Sequence, residues 1–252
     1  MCGRYAASRR PEDLVEEFEV VDLPEQALPP SYNLAPTDQV YAVLERTPKD
    51  APDDRPVRAL RTVRWGLVPS WAKDPSIGSR LINARVESVA EKPAFKKAFA
   101  RRRCLLPADG YFEWYGETRG RKQPYFITPS DGRPLAMAGL YELWRDRSKA
   151  DDDPDRWLWS ATVLTTTAQD DLGRIHDRMP LLVEPAGYGE WLDPSREDPE
   201  ELRGLLVPAA PGRLTAFPVS TEVNNVRNDG PALVEPLPAQ GADGVEEQAE
   251  LF

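Results

Sequence analysis

The chain has 252 residues and a formal net charge of −10, from 32 Lys and Arg against 42 Asp and Glu. That length suits one large domain or two small ones, and the acidic balance argues against indiscriminate binding to nucleic acid. No apolar run reaches the roughly 18 residues of a membrane span and no basic-then-apolar leader opens the chain. Two cysteines, Cys2 and Cys104, are too few for a disulfide framework or a zinc site. The expectation is a cytoplasmic protein with no membrane contact, no metal and no other cofactor. The charge is uneven, however. Acid gathers in Lys49–Asp54, Asp151–Asp155, Glu197–Glu201 and Glu246–Glu250, whereas base gathers at Arg4, Arg9, Arg10, Arg61, Arg64, Arg80, Arg85 and Lys96–Arg103. A basic groove on an acidic exterior fits this distribution.

In chain order, Pro11-Glu12-Asp13-Leu14 predicts a short helix, with proline and early acids at its start and Leu14, Val15 and Phe18 on one side. Gln39–Leu44 and Arg58–Val63 alternate as strands about a Pro/Asp-rich loop. Glu87–Arg102 places Val89, Phe95, Ala98 and Phe99 at helical spacing and predicts a second helix with a cationic flank. Strand-like runs follow at Cys104–Leu106, Tyr111–Tyr115, Pro124–Thr128, Leu135–Leu143 and Trp157–Thr166. Two short helices near Gly187–Leu192 and Pro199–Leu206 and a strand near Arg213–Val219 complete the pattern. Strands dominate the middle without βαβ alternation. This reads as one α+β domain over residues 1–236 with a curved, largely antiparallel sheet, then an acidic, disordered tail over 237–252.

Cys2 stands directly behind Met1. A small second residue permits methionine removal, leaving a cysteine with α-amine and thiol on adjacent carbons. Their ordinary pKa values, roughly 7.7 and 8.5, make both nucleophilic forms accessible near neutrality. Such a 1,2-aminothiol condenses with an aldehyde to a Schiff base and then closes a thiazolidine. The plainer alternative is a tolerated small residue at a frayed end. Cys104, in Arg103-Cys104-Leu105-Leu106, reads as a buried structural thiol. His176 is the only histidine, flanked by Arg174 and Arg178 and following Thr165-Thr166-Thr167, hence in a loop or short helix at a sheet edge; a surface or hydrogen-bonded role is the alternative. Glu113 lies among Tyr111, Phe112, Trp114 and Tyr115. Burial there would raise its pKa and make it an acid–base group, whereas an outward-facing strand position would not. Asn83 offers an amide to orient an amine or carbonyl, and Arg85 a phosphate contact.

Met1-Cys2-Gly3-Arg4-Tyr5, Tyr32-Asn33-Leu34-Ala35-Pro36-Thr37, Arg64-Trp65-Gly66-Leu67-Val68-Pro69, Ile82-Asn83-Ala84-Arg85-Val86-Glu87, Gly110-Tyr111-Phe112-Glu113-Trp114 and Ile175-His176-Asp177-Arg178-Met179-Pro180 together resemble the SOS-response-associated peptidase (SRAP) family, with its bacterial YedK-type and eukaryotic HMCES members. The resemblance runs from Met1 to about Pro236 and includes Val223-Asn224-Asn225-Val226-Arg227-Asn228. It implies a single domain with a sheet or barrel core, peripheral helices and a DNA-binding groove. It also implies a sensor that crosslinks to abasic sites in single-stranded DNA. On this chain Cys2 would form the thiazolidine, Glu113 would move protons, His176 would act at the sugar and in reversal, and Asn83 would position Cys2. Arg4, Arg85 and Arg178 would contact phosphates, Trp71 would stack on a base, and Pro36 would abut bases beside the lesion. A second tryptophan expected beside Trp71 is replaced by Ala72, which weakens the stacking platform. The implied partners are abasic single-stranded DNA and, beyond it, the replication machinery, with a monomeric protein and a nucleoid association after damage. Three alternatives stay open: an N-terminal-nucleophile amidohydrolase, a peptidase using Cys2 and His176, with self-removal of Met1 as one such activity, and a non-covalent reader of modified bases.

Overall fold

The computed structural model describes residues 2–47, 55–116, 122–169, 172–208 and 210–238. Two sheets form most of the body. The first has five strands, in the spatial order β12 (Leu214–Pro218), β8 (Gln123–Pro129), β7 (Gly110–Tyr115), β1 (Tyr5–Ala7) and β2 (Ser31–Leu34), each neighbouring pair antiparallel. The second has seven strands. β11 (Arg178–Pro180), β10 (Trp157–Thr167), β4 (Val57–Trp65), β3 (Gln39–Arg46), β6 (Arg103–Ala108) and β9 (Leu135–Arg145) follow in order, with β5 (Asn83–Arg85) alongside β10. β9 also pairs with β10, from Trp157↔Arg145 to Val163↔Gly139, so β10, β4, β3, β6 and β9 close into a ring. The α+β, largely antiparallel reading holds. Its exceptions are two short parallel pairings of β10, with β4 and with β5.

The strands of the ring are buried on both faces. In β3, Val40, Ala42 and Leu44 enter a core with Trp65, Cys104 and Leu106, whereas Tyr41 and Val43 face a second core that the helices cover. A period of two thus serves two apolar layers, and the sequence runs look nearly continuous rather than alternating. The helices α1 (Pro11–Phe18), α2 (Lys96–Arg101), α4 (Tyr188–Leu192) and α5 (Pro199–Gly204) supply Leu14, Phe18, Phe99, Trp191 and Leu202 to that outer core. α3 (Leu172–Ile175) is a single turn before β11. Buried Arg103 joins two helix ends. Its guanidinium donates to the carbonyls of Phe99 and Ala100 at 2.9 and 2.8 Å, of Trp191 at 2.7 Å, and of Asp193. These are the acceptors that helix C-termini leave open, and burial lowers the Arg103 pKa to about 10.

Three sequence expectations change. The helix expected over Glu87–Arg102 is confined to Lys96–Arg101, with turns before it. Pro93 lacks an amide hydrogen, and its ring disfavours helical backbone at Lys92. The strands β1, β2, β5 and β11 escape periodicity because each has only three or four residues. Leu237, assigned from sequence to the tail, donates its N–H to Pro218 O at 2.9 Å. Residues 239–252, most of the expected acidic tail, lie outside the described residues, as does the whole of the Lys49–Asp54 loop.

The connection from β4 to β5 depends on two glycines in backbone contact. Gly66 has φ +122°, and a Cβ there would lie 2.5 Å from Gly78 O; a Cβ on Gly78 would lie 2.5 Å from Gly66 O. Both substitutions force backbone apart, and Gly66 adds a left-handed conformation that side chains rarely adopt. Gly66→Ala should lose on the order of 2 kcal/mol of stability in urea denaturation. Gly189→Ala, in α4 with nothing within 4 Å of its Cβ, should lose none. Equal midpoints for Gly66→Ala and wild type would refute the contact's importance.

Candidate active site around Cys2

The residues from Cys2 onward lie along the five-stranded sheet. Tyr5 pairs with Tyr111 and Ala6 with Gly110 across β1 and β7, and Phe112 N donates to Arg4 O at 2.9 Å. The same register carried two residues further brings Gly3 level with Glu113. Cys2 is fully buried in the inner core with Tyr5 and Tyr111. From the other sheet, Asn83 Nδ2 donates to Cys2 O at 2.6 Å. Asn83 sits on β5, held parallel to β10 through Asn83↔Val163, and the preceding Ile82 carbonyl accepts from Val163 N and from Trp65 Nε1, both at 3.0 Å. The second residue is therefore clasped between two sheets. Asn83 Oδ1 is buried and, among the described residues, has no hydrogen-bond partner.

The C-terminal half of β10 organises the opposite wall. One edge carries β5 and the other β11, through Thr165↔Arg85 and Thr167↔Arg178. This brings the Asn83 and His176 segments to the same end of the ring. His176 lies between α3 and β11, partly exposed, and its Nδ1 accepts from Arg178 N at 2.9 Å. Accepting that bond requires a lone pair on Nδ1, which places the neutral ring's proton on Nε2. Asp177 Oδ1 lies 3.0 Å from the same nitrogen.

Burial sets the electrostatics. Glu113 is only 3% exposed, and desolvation raises its pKa above the ordinary carboxylate range, opposed by nearby positive charge that includes His176. The Cys2 thiol is pushed far up, first by burial and then by the charge of Glu113. Burial therefore favours the neutral S–H. This S–H donates to Arg4 O at 4.0 Å. The neighbouring phenols of Tyr5 and Tyr111 are likewise held neutral by burial, reinforced by Cys2.

The structure thus joins Cys2, Asn83, Glu113 and His176. The three arginines differ from one another. Arg85 is exposed, and strand alternation puts it on the same side of β5 as Asn83. Arg178 is turned inward, 8% exposed, bonded to both Glu87 carboxylate oxygens at 2.6 and 3.0 Å and to Thr165 O. Its Nη groups are engaged there and brace β11 against β10, whereas its buried Nε has no hydrogen-bond partner among the described residues. Arg4 is half-buried over the Trp114 ring, and its Nη1 donates to Asn33 Oδ1 at 2.7 Å and Val223 O at 2.9 Å. It ties the N-terminal strand to the segment after β12 instead of standing open to solvent. Trp71 is 60% exposed on the loop between β4 and β5, and Pro36 is half-buried in the turn after β2.

Sequence reasoning did not single out Asn33, Glu87 or the phenols. Asn33 is 3% exposed, and its Nδ2 lies 2.8 Å from Asn228 O and 3.1 Å from Asn225 O. A buried amide next to an arginine has no periodic signature; only its place in a shared motif hinted at it. Among the described residues, no group of three or more His, Cys, Asp or Glu could hold a metal ion, and no helix is long and apolar enough to cross a membrane.

Comparison with known proteins bears on the family and the fold. The family model described as SOS response associated peptidase (SRAP) matches residues 1–226. The abasic site processing protein YoqW of Bacillus subtilis is 37% identical over 236 residues, spanning 93% of this chain and 99% of that one. The abasic site processing protein YedK of Escherichia coli is 36% identical, spanning 94% and 100%. The HMCES protein of Gallus gallus, likewise named an abasic site processing protein, is 32% identical, spanning 94% of this chain and 78% of its own. A crystal structure of a Bordetella bronchiseptica protein superimposes with TM-score 0.69 at 26% identity over 87% of this chain and all of that one. A Bacteroides thetaiotaomicron structure, at 23% identity and TM-score 0.76 over 94% of this chain and all of that one, shares the fold. The chain belongs to the SRAP family.

Proposed function

We propose that this protein recognises abasic sites in single-stranded DNA and, once Met1 is removed, captures the sugar aldehyde as a thiazolidine on Cys2. The observation that carries this reading is the clasp on Cys2. Its carbonyl is held by Asn83 at 2.6 Å beside a buried carboxyl whose pKa is raised. A carboxyl with a raised pKa can give its proton to the ring oxygen as the closed sugar opens, take up the anomeric hydroxyl proton as the aldehyde forms, and give it to the hydroxyl that leaves as water when the amine forms the iminium. Asn83 Oδ1, without a partner, suits an N–H of the new α-amine. The neutral thiol reacts second: its sulfur bonds to the iminium carbon, the C=N π pair goes to nitrogen, which keeps its one hydrogen, and the S–H proton passes to the Glu113 carboxylate. The apolar surroundings favour this outcome, because the iminium is charged and the thiazolidine is not. Ring closure also removes the imine that would otherwise permit strand cleavage by β-elimination.

On the DNA side, Arg85 supplies the phosphate contact, Trp71 an exposed stacking face, and the Pro36 turn a wall beside the bases. Arg4 and Arg178 shape the site from within. His176 serves at the sugar and when the ring reopens. A peptidase dyad of Cys2 and His176 is disfavoured, because it needs a thiolate, and both burial and Glu113 oppose one.

Cys2→Ala should give no heat-stable adduct with abasic single-stranded DNA on a denaturing gel, yet should leave an imine that borohydride traps, because the amine remains. A borohydride-independent crosslink in Cys2→Ala would eliminate the thiazolidine, and wild-type binding without any crosslink would favour a non-covalent reader.

Glu113→Gln should slow crosslinking at least about tenfold while DNA affinity stays near wild type. It should also stabilise the fold at neutral pH. A carboxyl whose folded pKa is raised makes stability fall as pH rises from its unfolded value, roughly 4.3, through the folded one. The variant's advantage should therefore vanish below about pH 4. A Glu113→Gln protein less stable than wild type at pH 7 would contradict the buried-acid assignment. His176→Ala should slow release more than formation in a chase with excess unlabelled abasic DNA; unchanged release would leave the imidazole a structural role.

A further inference from the structure

The loop that carries Trp71 borders two adjoining grooves that none of the residues clustered around Cys2 line. One, of about 590 Å³, lies beside Trp71, Lys73 and Arg147; the other, of about 460 Å³, lies between Arg46, Lys97 and Trp157; Ser70 lines both. Their walls carry six basic side chains against two acidic ones, on a chain whose net charge is −10. Both acids are already engaged. Glu142 pairs with Arg102 at 2.7 Å, and Asp146 accepts from Ser148 N and Oγ. Arg46, Lys73, Lys97 and Arg147 make no ion pair among the described residues.

The aromatic residues make this more than a basic patch. Trp157 is 41% exposed at the rim of the second groove. Behind it, Trp159 stacks on Tyr141 at 5.8 Å, with the Arg46 guanidinium 5.5 Å from its ring centroid. The result is a firm wall with a cation held over it. Exposed indoles next to cations that lack carboxylate partners are what an extended nucleic-acid strand needs, since bases stack on the first and phosphates approach the second. An acidic protein segment would use the cations and leave the indole faces unused. The acidic remainder of the surface repels a polyanion and confines it to such a channel.

We propose that these joined grooves carry single-stranded DNA onward from the lesion, with a base stacked on Trp157 and phosphates drawn to Arg46 and Lys97. The inference rests on the DNA reading given above and extends it to a second stretch of strand, beyond the nucleotides at Cys2. It makes affinity depend on oligonucleotide length, with a longer strand gaining contacts that a short one cannot reach.

The test compares abasic oligonucleotides of about 6 and about 20 nucleotides, measuring affinity by fluorescence anisotropy for wild type and for a Trp157→Ala, Lys97→Ala double variant. Both positions are exposed, and thermal melting confirms that the variant folds. The wild type should favour the longer strand, and the double variant should lose about tenfold of that preference with a shallower salt dependence. An unchanged length preference in the folded variant, or no preference in wild type, overturns the groove while leaving the Cys2 site intact. Polyglutamate of matched length competing as well as oligothymidylate overturns the assignment to nucleic acid. Failure of wild type to bind or crosslink either oligonucleotide defeats the DNA reading itself, a different and recognisable outcome.

Discussion

The 2.6 Å bond from Asn83 Nδ2 to the Cys2 carbonyl is the constraint on which the rest of the site depends. It joins the N-terminal strand of one sheet to an inserted strand of the other, so that the second residue of the chain lies in the core instead of fraying into solvent. Chain ends are ordinarily mobile. Here the backbone ladder with β7 holds one side and an amide holds the other, and Arg4 repeats the arrangement two residues on by bonding Asn33 and Val223. A reactive terminus needs such fixation, because an amine that must meet one carbon in one orientation gains most from being placed beforehand.

The closed ring makes this fixation affordable in energetic terms. Its strands bury apolar side chains on both faces, and the inner of the two cores takes in Cys2 and Tyr5. Against that packing stand two unfavourable features: a buried carboxyl and an amide oxygen with no hydrogen-bond partner among the described residues. Each raises the free energy of the folded state, and the proposed reaction gives each a use. In it the carboxyl would give a proton, the amide oxygen would accept from the amine, and the thiol would end as a neutral ring sulfur in surroundings that penalise charge. Local disfavour concentrated at a site, on a scaffold that tolerates it, is the usual physical mark of function.

Much of this was legible in the residues, and the rest was not, for identifiable reasons. The long strands of the ring and α1 show in periodicity, and Cys2, Asn83, Glu113 and His176 show because their side-chain chemistry is distinctive in its setting. The strands β1, β5 and β11 position three of those four residues or their neighbours, yet none is long enough to alternate. The inward turn of Arg178 could not be read from composition: an arginine beside a histidine looks like an anion site until Glu87 is seen at 2.6 Å. The burial of the thiol was hidden for the same reason. Ordinary pKa values describe a solvated end, and burial of Cys2 becomes visible only when two sheets close over it.

The central claim is that amine and thiol of one residue capture an aldehyde together, and the intact mass of the wild-type adduct with abasic single-stranded DNA tests it most directly. The account predicts the mass of the protein without Met1 plus the oligonucleotide less one water, stable to heating and unchanged by borohydride. An adduct that retains Met1, or one that survives only after reduction, would contradict it.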